Sequence, residues 1–282
     1  MEKEKRGYAL GYKIVLFIYK LVGYKTVSFI LNFVALYYAI FSPSSKKSLQ
    51  SYYRHINKEL TFITYFKHIK IFSVSILDRF ISRMDPKEIT LTRTNREIFY
   101  SLKKEGGVVL LSHVGGWATA SHVMQADIPL MHVVMRENSK ESMKKVEHSS
   151  DRKNEDGVNI IDLNQGAIAA NVQIANALLA NEVVAMMVDR VVDERKTVEV
   201  TFLGSIVKIN KTPFDIASRL NKPLIVAFII NSAQKQYNLS FYEIDKESKT
   251  LEQMAQEYAF RLEEVVKKDP SQWYNFYDYF VQ

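Results

Sequence analysis

Cysteine is absent from the 282 residues. With it go disulfide frameworks, thiolate–zinc sites, iron–sulfur clusters and cysteine-linked acyl intermediates. The 10 glycines form neither GxxxxGK followed by Ser or Thr nor GxGxxG, which removes the common phosphate-cradling loops. GxSxG is missing too, so there is no nucleophile elbow. HExxH does not occur, and the six histidines show no metal-ligand spacing. No metal and no dissociable cofactor is therefore expected. The chain also lacks internal repeats, low-complexity tracts and long linkers.

What is present describes a packed protein. Hydrophobic residues make up 47% and charged residues 24%, which argues against disorder. The length suits one large α/β domain, or such a domain with a helical appendage. The net charge of +7 is uneven: residues 1–104 carry 19 Lys/Arg against 7 Asp/Glu, and the remainder carries 19 against 24. A basic N-terminal third points to an anionic partner. No recognition motif supports nucleic acid. The apolar residues interleaved with the charges favour a membrane surface, and an acidic carrier protein is a second candidate for the same region.

That apolar region is GYKIVLFIYKLVGYKTVSFILNFVALYYAIFSPSS. Between Lys25 and Lys46 lie 20 uncharged residues, close to the roughly 20 that a spanning helix needs. Thr26, Ser28, Asn32, Ser42, Ser44 and Ser45 weaken the run, and Lys13, Lys20 and Lys25 punctuate the part before it. An interfacial amphipathic helix followed by a second hydrophobic helix fits better than a clean span. The competing reading is two core helices of a soluble domain. Residues 1–43 are accordingly set apart as membrane-associated hydrophobic helices. The domain proper is 44–282, with 44–104 helical and 105–282 built around a sheet.

From Gly106 short β-branched runs alternate with amphipathic stretches. The runs are VVLLS (108–112), PLMHVVM (129–135), VNIID (158–162), EVVAMMV (182–188), TVEVTFL (197–203), PLIVAFII (223–230) and YNLSFYEI (237–244). Helical patterns fall at 117–126, 139–149, 166–180, 212–221 and 250–268. This alternation predicts an α/β fold with a mostly parallel central sheet flanked by helices. Functional groups of such sheets collect beyond the carboxyl ends of the strands, where VVLLS is followed by His113-Val114-Gly115-Gly116-Trp117. A histidine held there, with an ordinary pKa near 6.5, suits general base work. The bland alternative is a strand-end histidine that caps the next helix.

SHVGGW resembles the segment around the strand-end histidine in the late acyltransferases of lipid A biosynthesis, within the lysophospholipid acyltransferase-like superfamily. MREN (135–138), the stretch MMVDRVVDERKTVEVTFLGSIVKINKTPFDIASRLNKPLIVAF and the C-terminal DPSQWYNFYDYF agree with the family in order. The resemblance covers most of the chain. It departs at Ala118, where the family's pattern puts the carboxylate that orients the histidine. Asp189, which follows the buried run EVVAMMV, and Glu137 are the candidates to replace it. A weakened or non-catalytic relative is the alternative.

The resemblance implies transfer of an acyl chain from acyl carrier protein, or less often coenzyme A, to a bacterial glycolipid such as a lipid A precursor. His113 would act as the base at the cytoplasmic face of the inner membrane. It makes the N–H groups around Gly115 and Gly116 candidates for binding the oxyanion. It makes Arg136 and Arg190 candidates for a phosphate, against the plainer reading of surface ion pairs, for Arg190 with Asp189, Asp193 or Glu194. Trp117 reads as an acyl-chain wall or core packing, and Phe202, Leu203 and Gly204 as the border of an acyl pocket. An amino acid, a lysophospholipid or a polyene-type lipid are the alternative acceptors.

Overall fold

The structure is a computed structural model that describes residues 2–124, 130–136, 158–191 and 193–280. The expected helix at 139–149 and the candidate Glu137 lie outside these residues.

The N-terminal lead forms α1 (Glu2–Phe41), which breaks at Gly23, where φ 78 and ψ 176 leave the helical region. Two helical segments thus meet at a glycine able to adopt a positive φ, as the lysine spacing and the apolar run suggest. Tyr24, Val27, Leu31, Ala35 and Ala39 recur every three or four residues and are buried, a stripe packed along α3 (Phe62–Met84). Phe29, Phe33, Tyr37, Ile40 and Phe41 stay exposed on the same helix. The core-helix reading therefore holds for one stripe of α1 only. Between them runs α2 (Pro43–His55), and the Thr61 hydroxyl caps α3 by accepting from the Thr64 N–H.

Residues 44–104 are not wholly helical, a correction to the sequence reading. Thr90–Thr94 forms β1, and α4 (Arg96–Glu105) follows it. Alternating threonines favour a pleated edge strand, and five residues are too few to display a period against the helices around them.

The main sheet contains β1, β2 (Gly107–Leu111), β3 (Met131–Met135), β4 (Val158–Asp162), β5 (Val183–Met187), β8 (Leu224–Ala233) and β9 (Gln236–Glu243), in the order β1-β9-β8-β2-β5-β3-β4. From β8 to β4 every neighbour is parallel. β9 runs antiparallel to β8, and β1 is parallel to β9. The run at 197–203 leaves this sheet: β6 (Thr197–Phe202) pairs antiparallel with β7 (Ser205–Asn210) as a separate hairpin.

Along β2, alternate residues feed opposite cores. Val108 and Leu110 join Phe202, Phe214, Tyr258 and Trp273 on the face covered by α6 (Ala167–Leu179), α7 (Thr212–Arg219) and α8 (Leu251–Lys268). Val109 and Leu111 join residues of α1, α3, α4 and α5 (Trp117–Met124) on the other. With both faces covered, the carboxyl edge is where the central strands meet solvent.

Candidate active site

Parallel pairing of β2 with β5 matches Leu111 to Met187. Two residues beyond each strand stand His113 and Asp189, so the same register carries them side by side. His113 Nδ1 and Asp189 Oδ1 are 2.9 Å apart, and the backbone N–H of His113 donates to Oδ2 at 2.8 Å. Trp273 Nε1–H donates to the same Oδ2 at 2.9 Å, and the Tyr277 hydroxyl donates to the Asp189 carbonyl at 3.0 Å. The Asp189 side chain is 1% exposed and that of His113 is 29% exposed. The carboxylate is therefore a buried anchor, and the imidazole is open to a reactant.

The electrostatics of the pair follow from that burial. Burial alone would lower the pKa of His113, but the charge and hydrogen bond of Asp189 outweigh it and Arg190 opposes them, leaving a net rise. Burial would raise that of Asp189, but His113 and the N–H donors of Trp273 and His113 hold it below the usual carboxylate range. Donation of the Nδ1 proton to Asp189 assigns the tautomer and leaves the Nε2 lone pair as the basic site.

The turn after His113 is built by backbone contacts. Gly115 has φ 61, and a Cβ there would overlap the Ile229 carbonyl. A Cβ on Gly116 would overlap the Tyr237 ring. The N–H of Gly115 donates to Gln272 O at 2.8 Å, and that of Gly116 to Ile229 O at 2.8 Å. Both donors are thus spent inside the fold. The expectation that they bind an oxyanion is corrected: these glycines permit close packing of the turn and offer no free N–H.

Trp117 opens α5 beside the core that contains Leu111. It borders a cavity of about 40 Å³ whose lining is wholly apolar and includes Leu111, Ala120, Met131, Val133 and Ile229. Phe202, Leu203 and Gly204, expected to border an acyl pocket, do not line this cavity. Phe202 packs on Trp273 with ring centroids 5.4 Å apart, in the core on the other face of the sheet. Leu203 N–H donates to Glu263 of α8, and Gly204 lies in the β6–β7 turn. The apolar-Phe-Gly pattern encodes a hairpin turn seated on α8.

Arg136 is exposed immediately beyond β3. Arg190 is exposed beside Asp189, with its guanidinium 5.1 Å from the centre of the Tyr277 ring. The acidic neighbours expected to neutralise Arg190 pair with other groups: Asp189 with His113, Asp193 with Arg195 and Glu194 with Lys208. Arg136 and Arg190 therefore stand beyond neighbouring strands, since β3 pairs with β5. Among the described residues no group of three or more His, Asp or Glu is placed to hold a metal ion.

Sequence reasoning missed the anchoring roles of Trp273 and Tyr277, and of Gln272, whose side chain accepts from the Asn231 N–H and donates to its carbonyl, both at 2.8 Å. No local pattern links Trp273 and Tyr277 to Asp189, 84 and 88 positions earlier, or Gln272 to Asn231, 41 positions earlier. Their signal is compositional: eight residues from Trp273 contain six aromatics, more than a solvated tail would carry. A search of curated proteins gives no match for the chain. The family model described as bacterial lipid A biosynthesis acyltransferase matches residues 69–281.

Proposed function

The chain belongs to this bacterial lipid A biosynthesis acyltransferase family, a family of acyltransferases, and on that premise we propose that it moves a fatty acyl chain from acyl carrier protein to a hydroxyl or amine of a lipid A precursor, with His113 as general base. The observation that carries the reading is the buried Asp189 carboxylate on His113 Nδ1 at the carboxyl edge of the sheet, 2.9 Å away. It fills the orienting role that Ala118 cannot.

Nε2 takes the proton of the acceptor hydroxyl as its oxygen bonds to the thioester carbonyl carbon. Asp189 offsets the charge on the resulting imidazolium. Collapse of the tetrahedral intermediate breaks the carbon–sulfur bond, and the imidazolium returns its proton to the departing thiolate. The steps leave an ester and a free thiol, and no covalent enzyme intermediate forms. Arg190 and Arg136 are assigned to a phosphate of the donor arm or of the glycolipid, and the apolar cavity beside Trp117 to the start of the acyl chain. The test is incubation of the full chain with acyl carrier thioester, or with acyl-coenzyme A, and a lipid A precursor. The acceptor is expected to gain the mass of one acyl chain. No gain in any glycolipid with either donor would refute the proposal.

The same reading places the protein on a membrane. Phe17–Phe41 is long and apolar enough to cross one, by length and composition. Its buried stripe, however, runs along α3, which carries Lys67, Lys70, Arg79 and Arg83. Each such charge costs about 2.5–3.5 kcal/mol at a bilayer centre, so α1 is assigned to the interfacial plane, with its exposed aromatic face in the lipid. Phe62 and Ile63 are exposed at the start of α3, which the Tyr65 hydroxyl ties to the end of α1 by donating to Ser42 O. The full chain is expected to sediment with anionic vesicles. Transferring one such side chain from water contributes about 1.5–3 kcal/mol, so Phe29→Lys with Phe33→Lys should weaken partitioning about a hundredfold or more. Unchanged sedimentation of the double variant would show that this face does not meet lipid.

A further inference from the structure

Asp78 of α3 is fully buried, forms no ion pair among the described residues, and takes no part in the transfer steps. Burial raises its pKa to about 6, moderated by hydrogen bonds from Tyr237 and Tyr24 and by the charge of Lys235. An unpaired carboxylate in a core is costly, and its partners give it a purpose. Oδ1 accepts from the Tyr24 hydroxyl at 3.0 Å, and Oδ2 from the Tyr237 hydroxyl at 2.7 Å. Tyr24 is the first residue after the break in the apolar helix. Tyr237 lies in β9, and its ring occupies the space that a side chain on Gly116 would need. Lys235, in the turn that leads into β9, sets its ammonium 4.9 Å from the Tyr24 ring centre and pairs with Glu88. One carboxylate therefore grips the membrane-facing helix with one oxygen and the buttress of the catalytic turn with the other.

We infer that Asp78 is a positioning residue for the transfer reaction: by tying Tyr24 to Tyr237 it makes the seating of α1 part of what fixes the Gly115–Gly116 turn and so the imidazole of His113. The inference rests on the proposed acyl transfer and adds a dependence of turnover on a helix that contributes no residue to the His113–Asp189 pair. Losing one buried hydrogen bond loosens a local structure by about tenfold, and the amides of Gly115 and Gly116, bonded to Gln272 and Ile229, report on the turn directly.

The test is Tyr24→Phe in the full chain, with Tyr19→Phe as control. Tyr19 reaches Lys235 but forms no hydrogen bond with Asp78. In Tyr24→Phe, deuterium exchange across residues 112–119 should quicken about tenfold and kcat should fall at least about fivefold. KM and vesicle sedimentation should match the parent, as should every property of Tyr19→Phe. Exchange and kcat within twofold of the parent would overturn the inference, as would equal losses in the control or loss of sedimentation in Tyr24→Phe. Faster exchange in the variant of a parent that transfers no acyl chain would sink the acyl-transfer reading and leave the coupling of α1 to the turn standing.

Discussion

His113→Ala is expected to lower acyl transfer by about three orders of magnitude, within the range that a positioned general base contributes. The protein should still fold. Two of the three donors to the Asp189 carboxylate persist in the variant, Trp273 Nε1–H and the backbone N–H at position 113. The third is lost at a site that is partly open to water, at a cost of about 1–3 kcal/mol for the orphaned acceptor. Circular dichroism should therefore show a parent-like spectrum with a modestly lowered melting temperature. The activity assay is the one that identifies the transferred chain by mass. Transfer within a few-fold of the parent would exclude the imidazole as the base and would move the search to the groups around Arg190.

Asp189→Asn should cost nearly as much activity by a different route. The amide keeps the shape, and its oxygen can still accept from Trp273 and from the position 113 N–H. Its NH2 then faces Nδ1, donor against donor, and drives the imidazole to the tautomer whose Nε2 carries the proton. The same replacement in the serine-protease triad lowers kcat about 10⁴-fold, and a loss of about 10³–10⁴ is expected here. The pH profile gives an independent readout. In the parent, transfer falls as pH drops through the raised pKa of His113, because the imidazolium has no lone pair to offer. In Asp189→Asn the residual activity should keep its plateau to lower pH. Stability follows the sign of each shift. The depressed Asp189 contributes stability above the ordinary carboxylate pKa and loses it as pH falls through its folded value; the raised His113 contributes below the ordinary imidazole pKa and loses it as pH rises through its folded value. In the same series Ala118→Glu should bring no gain, since Asp189 already occupies Nδ1. A faster Ala118→Glu enzyme, or an Asp189→Asn enzyme near parental rate, would show that Asp189 does not orient the base.

Much of this arrangement was written locally. Buried strands such as VVLLS and EVVAMMV announce themselves as short β-branched runs; β2 overlaps the first at four residues and β5 falls within the second. His113 stood out because a glycine turn follows such a run. Asp189 can be shortlisted because it too follows such a run, but not chosen over Glu137, because choosing requires strand order, and that depends on which crossovers bring β5 beside β2. The turn amides illustrate a second limit. Two consecutive glycines suggest free N–H groups, but whether those groups are spent depends on Ile229 and Gln272, more than 100 residues downstream. The β6–β7 hairpin was misread because a β-branched run looks alike whether it joins the main sheet or pairs with its own successor.

The aromatic segment that begins at Trp273 gives the centre an order of assembly. Trp273 and Tyr277 hold Asp189 from the far end of the sequence, and the ribosome delivers them after every other element of the fold. The apolar helix α1, by contrast, precedes every strand of the sheet and is synthesised before them. On the proposed membrane placement, a nascent chain can meet the bilayer before its carboxylate is clamped. On the proposed reading, the His113–Asp189 pair is completed only after Trp273 and Tyr277 have been translated, later than the helix assigned to the membrane surface.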